Sequence, residues 1–333
     1  MAENFETLRW RLRQDAVDII VAGGGGHIGG DMSVMDALML LYGKVMNVGP
    51  DKLDDPDRDR FLLSKGHAME AYYAVLCHYG YLDLADVKAR FSKFESPYIG
   101  HPNNKLPGIE MNSGSLGHGL PVGVGMALAA KMDGRPYRTY VVMGDGELAE
   151  GSIWEAAMAG ATYGLDNLCA VVDRNHLQIS GNTEDVMRAD SQEARWQAFG
   201  WHTVCVNGND LAALEAAFAE TAATEGQPTA IIMDTVKGLG SPVMENKAGW
   251  HHHLPNDEEY AQISADLAAH AKAAEQGEAY VPELDFSVER AGATAPVSAL
   301  AGGAGAAAPA PAADCPVHPA TAGCPACANA KEA

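Results

Sequence analysis

Asp145 stands between two glycines in "MGDGELAEG", and Asn175 follows thirty residues later in "VVDRNHLQ". Each falls where an apolar run, "TYVVM" or "LCAVVD", gives way to a turn. A strand–helix–strand unit built on these runs has parallel, neighbouring strands joined by a right-handed crossover. It puts Asp145 and Asn175 just past the carboxyl ends of the strands, where open α/β sheets bind ligands. Adjacent strands lie about 4.8 Å apart, so a carboxylate and an amide oxygen can share one ion. Both are hard oxygen donors, suited to Mg2+ or Ca2+ rather than zinc. So few protein ligands leave coordination positions open for phosphate oxygens, and Gly144 and Gly146 let the backbone approach such phosphates. Taken alone, the string fits equally a tight turn followed by a loop asparagine.

Histidines form a second set. His27 in "GGGGHIGG", His67 in "SKGHA" and His101 in "YIGHPN" each adjoin a glycine, in loops or at a helix start, and His251 lies in "WHHHLPND". Neutral imidazoles there are free to reach a ligand and to give or take protons near pH 7, although each taken singly is more often a surface or packing residue. Glu150 opens "EGSIWEAAMAGATYG", where an acid suits the positive end of a helix. Glu147 and Glu155 are read as structural.

The elements that position these residues follow from periodicity and punctuation. Residues 6–22 have a helical pattern, which "GGGGHIGGDMS" breaks, and Ser33 then caps a buried helix, "VMDALMLLYGKVM". "RFLLS" reads as a strand, "HAMEAYYAVLCHYG" as a helix ended by Gly80, and "HGLPVGVGMALAAKM" as a helix whose small residues allow close approach of a neighbour. Residues 96–117 form a long loop of the kind that is usually functional. "TVCV" and "AIIMDTV" are further strands, flanking the helix "DLAALEAAFAETAAT". The alternation predicts a doubly wound α/β domain, its sheet mostly parallel with helices on both faces.

Composition bounds the class. The chain has 333 residues, 47% of them hydrophobic, and a formal net charge of -21. No basic cluster exists to hold nucleic acid. No stretch of about 20 apolar residues exists to span a membrane, and no apolar signal core begins the chain, so a cytoplasmic location is expected. An anionic ligand needs local help from a metal or from helix N-termini. Cys77, Cys169 and Cys205 read as buried thiols among apolar neighbours.

Six strings in order, "GGGGHIGGDMS", "RDRFLLSKGHA", "YIGHPN", "NSGSLGHGL", "GDGELAEGSIWEA" and "LDNLCAVVDRNHLQISG", resemble the N-terminal half of a transketolase over residues 8–260. GDG with its later Asn is a thiamine diphosphate motif. The resemblance implies Asp145, Asn175 and the Leu177 main-chain carbonyl as ligands of Mg2+ (or Ca2+). It lays Gly146 against the diphosphate and puts Leu116 on the cofactor pocket. It gives His67 and His251 to the diphosphate and site wall, His27 and His101 to the sugar, and Glu150 to the interface between cofactor sites. His118, His252 and His253 receive no role, and His252 stands where many members carry glycine. The family's chemistry also needs a glutamate on the cofactor's aminopyrimidine ring, carried by a pyrimidine-binding domain for which the remaining residues leave no room. The chain therefore resembles the N-terminal subunit of a split transketolase. It implies a C-terminal partner subunit in an α2β2 assembly, acting on sugar phosphates. Three alternatives compete with this reading: the alpha chain of a 2-oxo acid dehydrogenase, a synthase of the 1-deoxyxylulose type and a noncatalytic homologue. The histidine set and the split argue against them.

Three segments are expected. Residues 1–285 form the diphosphate-binding domain, 286–314 an Ala/Gly/Pro-rich linker and 315–333 a disordered tail. In the tail, Cys315, His318, Cys324 and Cys327 have spacing that suits a tetrahedral Zn2+ site. An unstructured tail with incidental cysteines explains them slightly better.

Overall fold

Five apolar strands build the sheet that carries the site. In the computed structural model, which describes residues 3–188 and 191–284, they are β1 (Arg60–Leu63), β2 (Thr139–Gly144), β3 (Leu168–Arg174), β6 (His202–Asn207) and β7 (Thr229–Asp234). The order across the sheet is β1-β2-β3-β7-β6, all parallel. A separate hairpin pairs β4 (Leu177–Gln178) with β5 (Gly181–Asn182). The helices are α1 (Phe5–Gly23), α2 (Ile28–Leu40), α3 (Met69–His78), α4 (Leu84–Arg90), α5 (Gly119–Met132), α6 (Gly151–Thr162), α7 (Thr183–Val186), α8 (Gln192–Ala198), α9 (Leu211–Ala223) and α10 (Asp257–Glu275).

Side chains alternate across a strand, so β1, β2, β3 and β7 each feed two cores, while the edge strand β6 packs Val204 and Val206 against one of them. Phe61, Tyr140, Val142, Val171 and Ile231 pack with α1, α2, α3, α9 and α10. Leu62, Val141, Met143, Val172 and Ile232 pack with α5, α6 and α8. Burial on both faces explains why β2, β3 and β7 are almost wholly apolar. The doubly wound architecture expected from the alternation is the one observed.

Two expectations are corrected. Ser33 does not cap a helix: α2 begins at Ile28 with His27 at its N-cap, and Ser33 lies inside it, bonding Gly30 O at 3.1 Å and Asp173 at 2.7 Å. Gly29 and Gly30 do not break the chain because they serve close approach. A Cβ on Gly29 would lie 2.6 Å from Trp250 O, so the first turn of α2 can press against the Trp250 backbone. Cys205 is exposed, since β6 is an edge strand, while Cys169 is buried and Cys77 half-buried.

The helix that presents His27 is fixed from behind. Arg9 and Arg13 of α1 both pair with Asp36 of α2, all three without solvent exposure. α10, which the sequence reading did not identify, packs along α1 and starts with a capping box between Asn256 and Glu259. The chain divides into residues 1–294 and 295–333. The expected linker and tail, with Cys315, His318, Cys324 and Cys327, lie outside the described residues.

Candidate active site

Strands β2 and β3 pair with Gly144 opposite Asp173, so the sheet ends both strands at one level. Asp145 and Asn175 follow these ends directly, as the spacing predicts. Asp145 is buried, and its carboxylate accepts the backbone N–H of Gly146 at 2.8 Å and of His176 at 2.8 Å. Burial raises its pKa, and the neighbouring Asp173 raises it further. A carboxylate held so is short of positive charge. Asn175 accepts the Leu177 N–H at 3.2 Å, and its amide nitrogen donates to Asp173 at 3.2 Å. That second bond fixes which end of the amide is oxygen.

The oxygens border a cavity of about 390 Å³. Its wall includes His27, His67, His101, Leu116, Gly146 and His251, all expected there from the sequence. The His27 ring lies 5.4 Å from His67, 5.9 Å from His101, 5.6 Å from His251 and 4.7 Å from His252 between centroids. His252, given no role from the sequence, therefore stands beside the set. Glu150 is not brought in: it is exposed at the start of α6, against the turn at Gly117. Glu147, read as structural, lines the cavity. It ties three segments together by accepting from Ser64, Gly117 N (2.9 Å) and Gly144 N (3.1 Å).

The histidines are neutral at pH 7. Burial lowers His27 to about 4, helped by His252 and His101. Burial and then Lys237 lower His251 to about 3. His67 is held well below the ordinary value by burial and Lys65, and His101 is lowered by burial. An ammonium only donates, so the 2.9 Å contact from Lys237 makes His251 Nδ1 an acceptor and puts the ring proton on Nε2. His27 Nδ1 is buried without a hydrogen-bond partner. Such a nitrogen awaits one.

Sequence reasoning missed three charged residues here: Lys65, Asp173 and Lys237. Lys65, fully buried, donates to Asp173 of β3 and to Gly30 O at 3.1 Å. Burial alone would raise Asp173, yet Lys65, Thr235 and Ser33 hold it below the usual carboxylate range. Lys237, also buried, donates to Leu177 O at 2.8 Å. Lysines inside "SKGHA" and "TVKGLG" were the available signal.

The residues fit a divalent cation beside a diphosphate. Asp145, Asn175 and Leu177 O are hard oxygen donors, and the Leu177 carbonyl already takes a cationic partner. A Cβ on Gly146 would lie 2.7 Å from Gln178 Nε2, so the turn is bare backbone. No group of three or more His, Cys, Asp or Glu side chains among the described residues could hold a metal, which leaves this mixed set. No helix there is long and apolar enough to cross a membrane.

Fold and site together define a diphosphate-binding module of a cofactor-dependent α/β enzyme. Residues 7–282 match the family model described as transketolase, thiamine diphosphate binding domain. An apulose-4-phosphate transketolase subunit of Phocaeicola vulgatus is 47% identical over 266 residues, covering 80% of this chain and 94% of that one. A 6-deoxy-6-sulfo-D-fructose transketolase subunit of Clostridium sp. is 36% identical, covering 77% and 93%. A solved transketolase from Pichia stipitis superposes with a TM-score of 0.72 at 30% identity, covering 83% of this chain and 45% of that one. The chain belongs to the transketolase family.

Proposed function

We propose that this chain is the N-terminal subunit of a split, cytoplasmic transketolase. With a C-terminal subunit it moves a two-carbon ketol unit from a ketose phosphate to an aldose acceptor. The observation that carries this reading is the set of neutral histidines around a cavity floored by Asp145, Asn175 and Leu177 O. The subunit relatives, matched over 94% and 93% of their length, support it. In this reading residues 1–285 are the diphosphate-binding domain, 286–314 a linker and 315–333 a tail.

Thiamine diphosphate supplies the carbanion chemistry and the electron sink when bound. Asp145, Asn175 and the Leu177 carbonyl hold its Mg2+, and Gly146 gives the diphosphate room. Lys65 and Lys237 bring positive charge to the same place. His27, with its unpartnered Nδ1, and His101 hold and exchange protons with sugar hydroxyls. His251 donates from Nε2, and His67 completes the wall. The partner subunit brings the pyrimidine-binding domain and its glutamate, in an α2β2 assembly, with Glu150 near the contact between sites.

The test combines the purified chain with the cognate C-terminal subunit, thiamine diphosphate and Mg2+. The donors are apulose 4-phosphate, named for the relative above, and xylulose 5-phosphate, with ribose 5-phosphate or a short aldose as acceptor. Ketol transfer should need both subunits and saturate near equal amounts. Full turnover by this chain alone, or none by the pair with any ketose phosphate, refutes the reading.

A further inference from the structure

Asp31 and Glu70 are acids in a place where burial penalises charge. Both are fully buried. Asp31 lies in the first turn of α2, four residues after His27, and Glu70 in the first turn of α3, three after His67. The two carboxyls are close enough to act on each other, one from α2 and one from α3. Asp31 Oδ1 accepts the Ala71 N–H at 2.9 Å, whereas Asp31 Oδ2 and both Glu70 oxygens are buried without a hydrogen-bond partner. Two carboxylates in contact, sealed from water, cannot both be charged, so a proton must lie between them.

The pair sits directly under the histidine loops. A Cβ on Gly26 would lie 2.6 Å from Glu70 Oε1 and 2.6 Å from Ile20 Cγ1, so the backbone beside His27 rests on the carboxyl itself. A Cβ on Gly100, next to His101, would lie 3.9 Å from the same oxygen. From α3, Tyr73 donates to Ile99 O at 3.0 Å and holds that loop from the other side. A carboxyl–carboxylate bond at this place would brace the N-terminal ends of α2 and α3 and the loop at residues 99–101.

We infer that Asp31 and Glu70 are a proton-sharing positioning pair that sets the geometry of His27, His67 and His101 toward the sugar. Its charged and titratable surroundings are few. Lys65 acts on Asp31, the His27 backbone N–H lies against Glu70, Tyr73 faces Glu70 from α3, and Ile20 of α1 packs beside Gly26. Burial raises both acids and Asp31 raises Glu70 further, so the shared proton stays through neutral pH. The inference rests on the proposed role of these histidines at the sugar.

The experiment compares wild type, Glu70→Gln and Glu70→Ala in the full chain. Infrared difference spectra with 13C-labelled carboxyls should show a protonated-carboxyl band at neutral pH that Glu70→Gln abolishes. By 15N NMR, His27 should titrate nearer its ordinary value of about 6.5 in Glu70→Ala and stay depressed in Glu70→Gln. In the two-subunit complex, Glu70→Ala should raise donor KM by about tenfold, the worth of one lost buried hydrogen bond, with thiamine diphosphate affinity unchanged and Glu70→Gln restoring KM. A missing carboxyl band, or an unmoved His27 titration in a folded Glu70→Ala chain, overturns the inference. The two spectroscopic readouts need no turnover, so failure of ketol transfer would count against the proposed function alone.

Discussion

Replacing Asp173 by alanine removes the hub on which the cofactor-side charges are arranged. The carboxylate has no solvent exposure and accepts from Lys65, from Ser33 Oγ at 2.7 Å, from Thr235 Oγ1 at 2.5 Å and from Asn175 Nδ2 at 3.2 Å. Alanine strands the Lys65 ammonium, whose side chain is 1% exposed, with Gly30 O as its remaining acceptor. Breaking a buried pair from one side costs about 3–5 kcal/mol. In a chain of this size that lowers the melting temperature by on the order of 10 °C. Lys65→Met should cost a comparable amount. The double variant Lys65→Met with Asp173→Leu should recover most of the loss, because removing both charges also removes their desolvation. Urea unfolding without cofactor or metal gives the comparison directly, since ligands would add stability of their own. A cost under about 1 kcal/mol for Asp173→Ala, or a double variant as unstable as the sum of the singles, would refute the charge-hub reasoning.

Further outcomes concern the ligand oxygens, the histidines and the domain limit. Asp145→Ala should abolish Mg2+-dependent thiamine diphosphate binding while leaving cooperative unfolding intact, and Asn175→Ala should do so more mildly. Calorimetry showing wild-type affinity in both defeats the metal assignment. His27 and His251 have folded-state values of about 4 and about 3, below the unfolded value of about 6.5. The unfolded chain therefore binds more protons in that window, and this stabilisation is full above pH 6.5 and lost as pH falls toward 4. After discounting for partial exposure, each contributes about 1–2 kcal/mol. Urea midpoints should rise between pH 5 and 7.5 and rise less in His27→Asn; equal slopes would rule this out. Residues 1–285 expressed alone should melt cooperatively at the temperature of the full chain, and a broad transition at lower temperature would place the limit elsewhere.

Apolar runs and their turns were enough to read the sheet, and hence the level at which Asp145 and Asn175 meet. The histidine set was legible only through the family resemblance, since each histidine taken singly fits a surface or packing role at least as well. Elsewhere local pattern misled. "GGHIGGDMS" reads as a breaker followed by a cap, but glycine is there so that α2 can touch the Trp250 backbone, a contact made far along the chain. The Asn256–Glu259 capping box was visible in "LPNDEEY", yet the following helix is rich in alanine and only part of it is buried, so its periodicity is weak. Nothing local in the sequence marks Glu70 as a buried acid, because Asp31, which acts on it, lies 39 residues earlier.

Charge is where sequence and site differ most. A net charge of -21 argues against an anionic ligand, but binding responds to the local field rather than to the total. Around the cavity, Asp145, Glu147 and Asp173 stand against Lys65 and Lys237, all buried. The lysines are already engaged, with Asp173 and with Leu177 O and His251. That arrangement does not attract a diphosphate by itself, because the carboxylates outnumber the ammonium groups. A divalent cation held by Asp145, Asn175 and Leu177 O would reverse the sign where the phosphates would lie, and would share the Leu177 carbonyl with Lys237. Metal and diphosphate would then each depend on the other for binding, which is why loss of the Asp145 carboxylate should remove cofactor binding without unfolding the sheet that carries it.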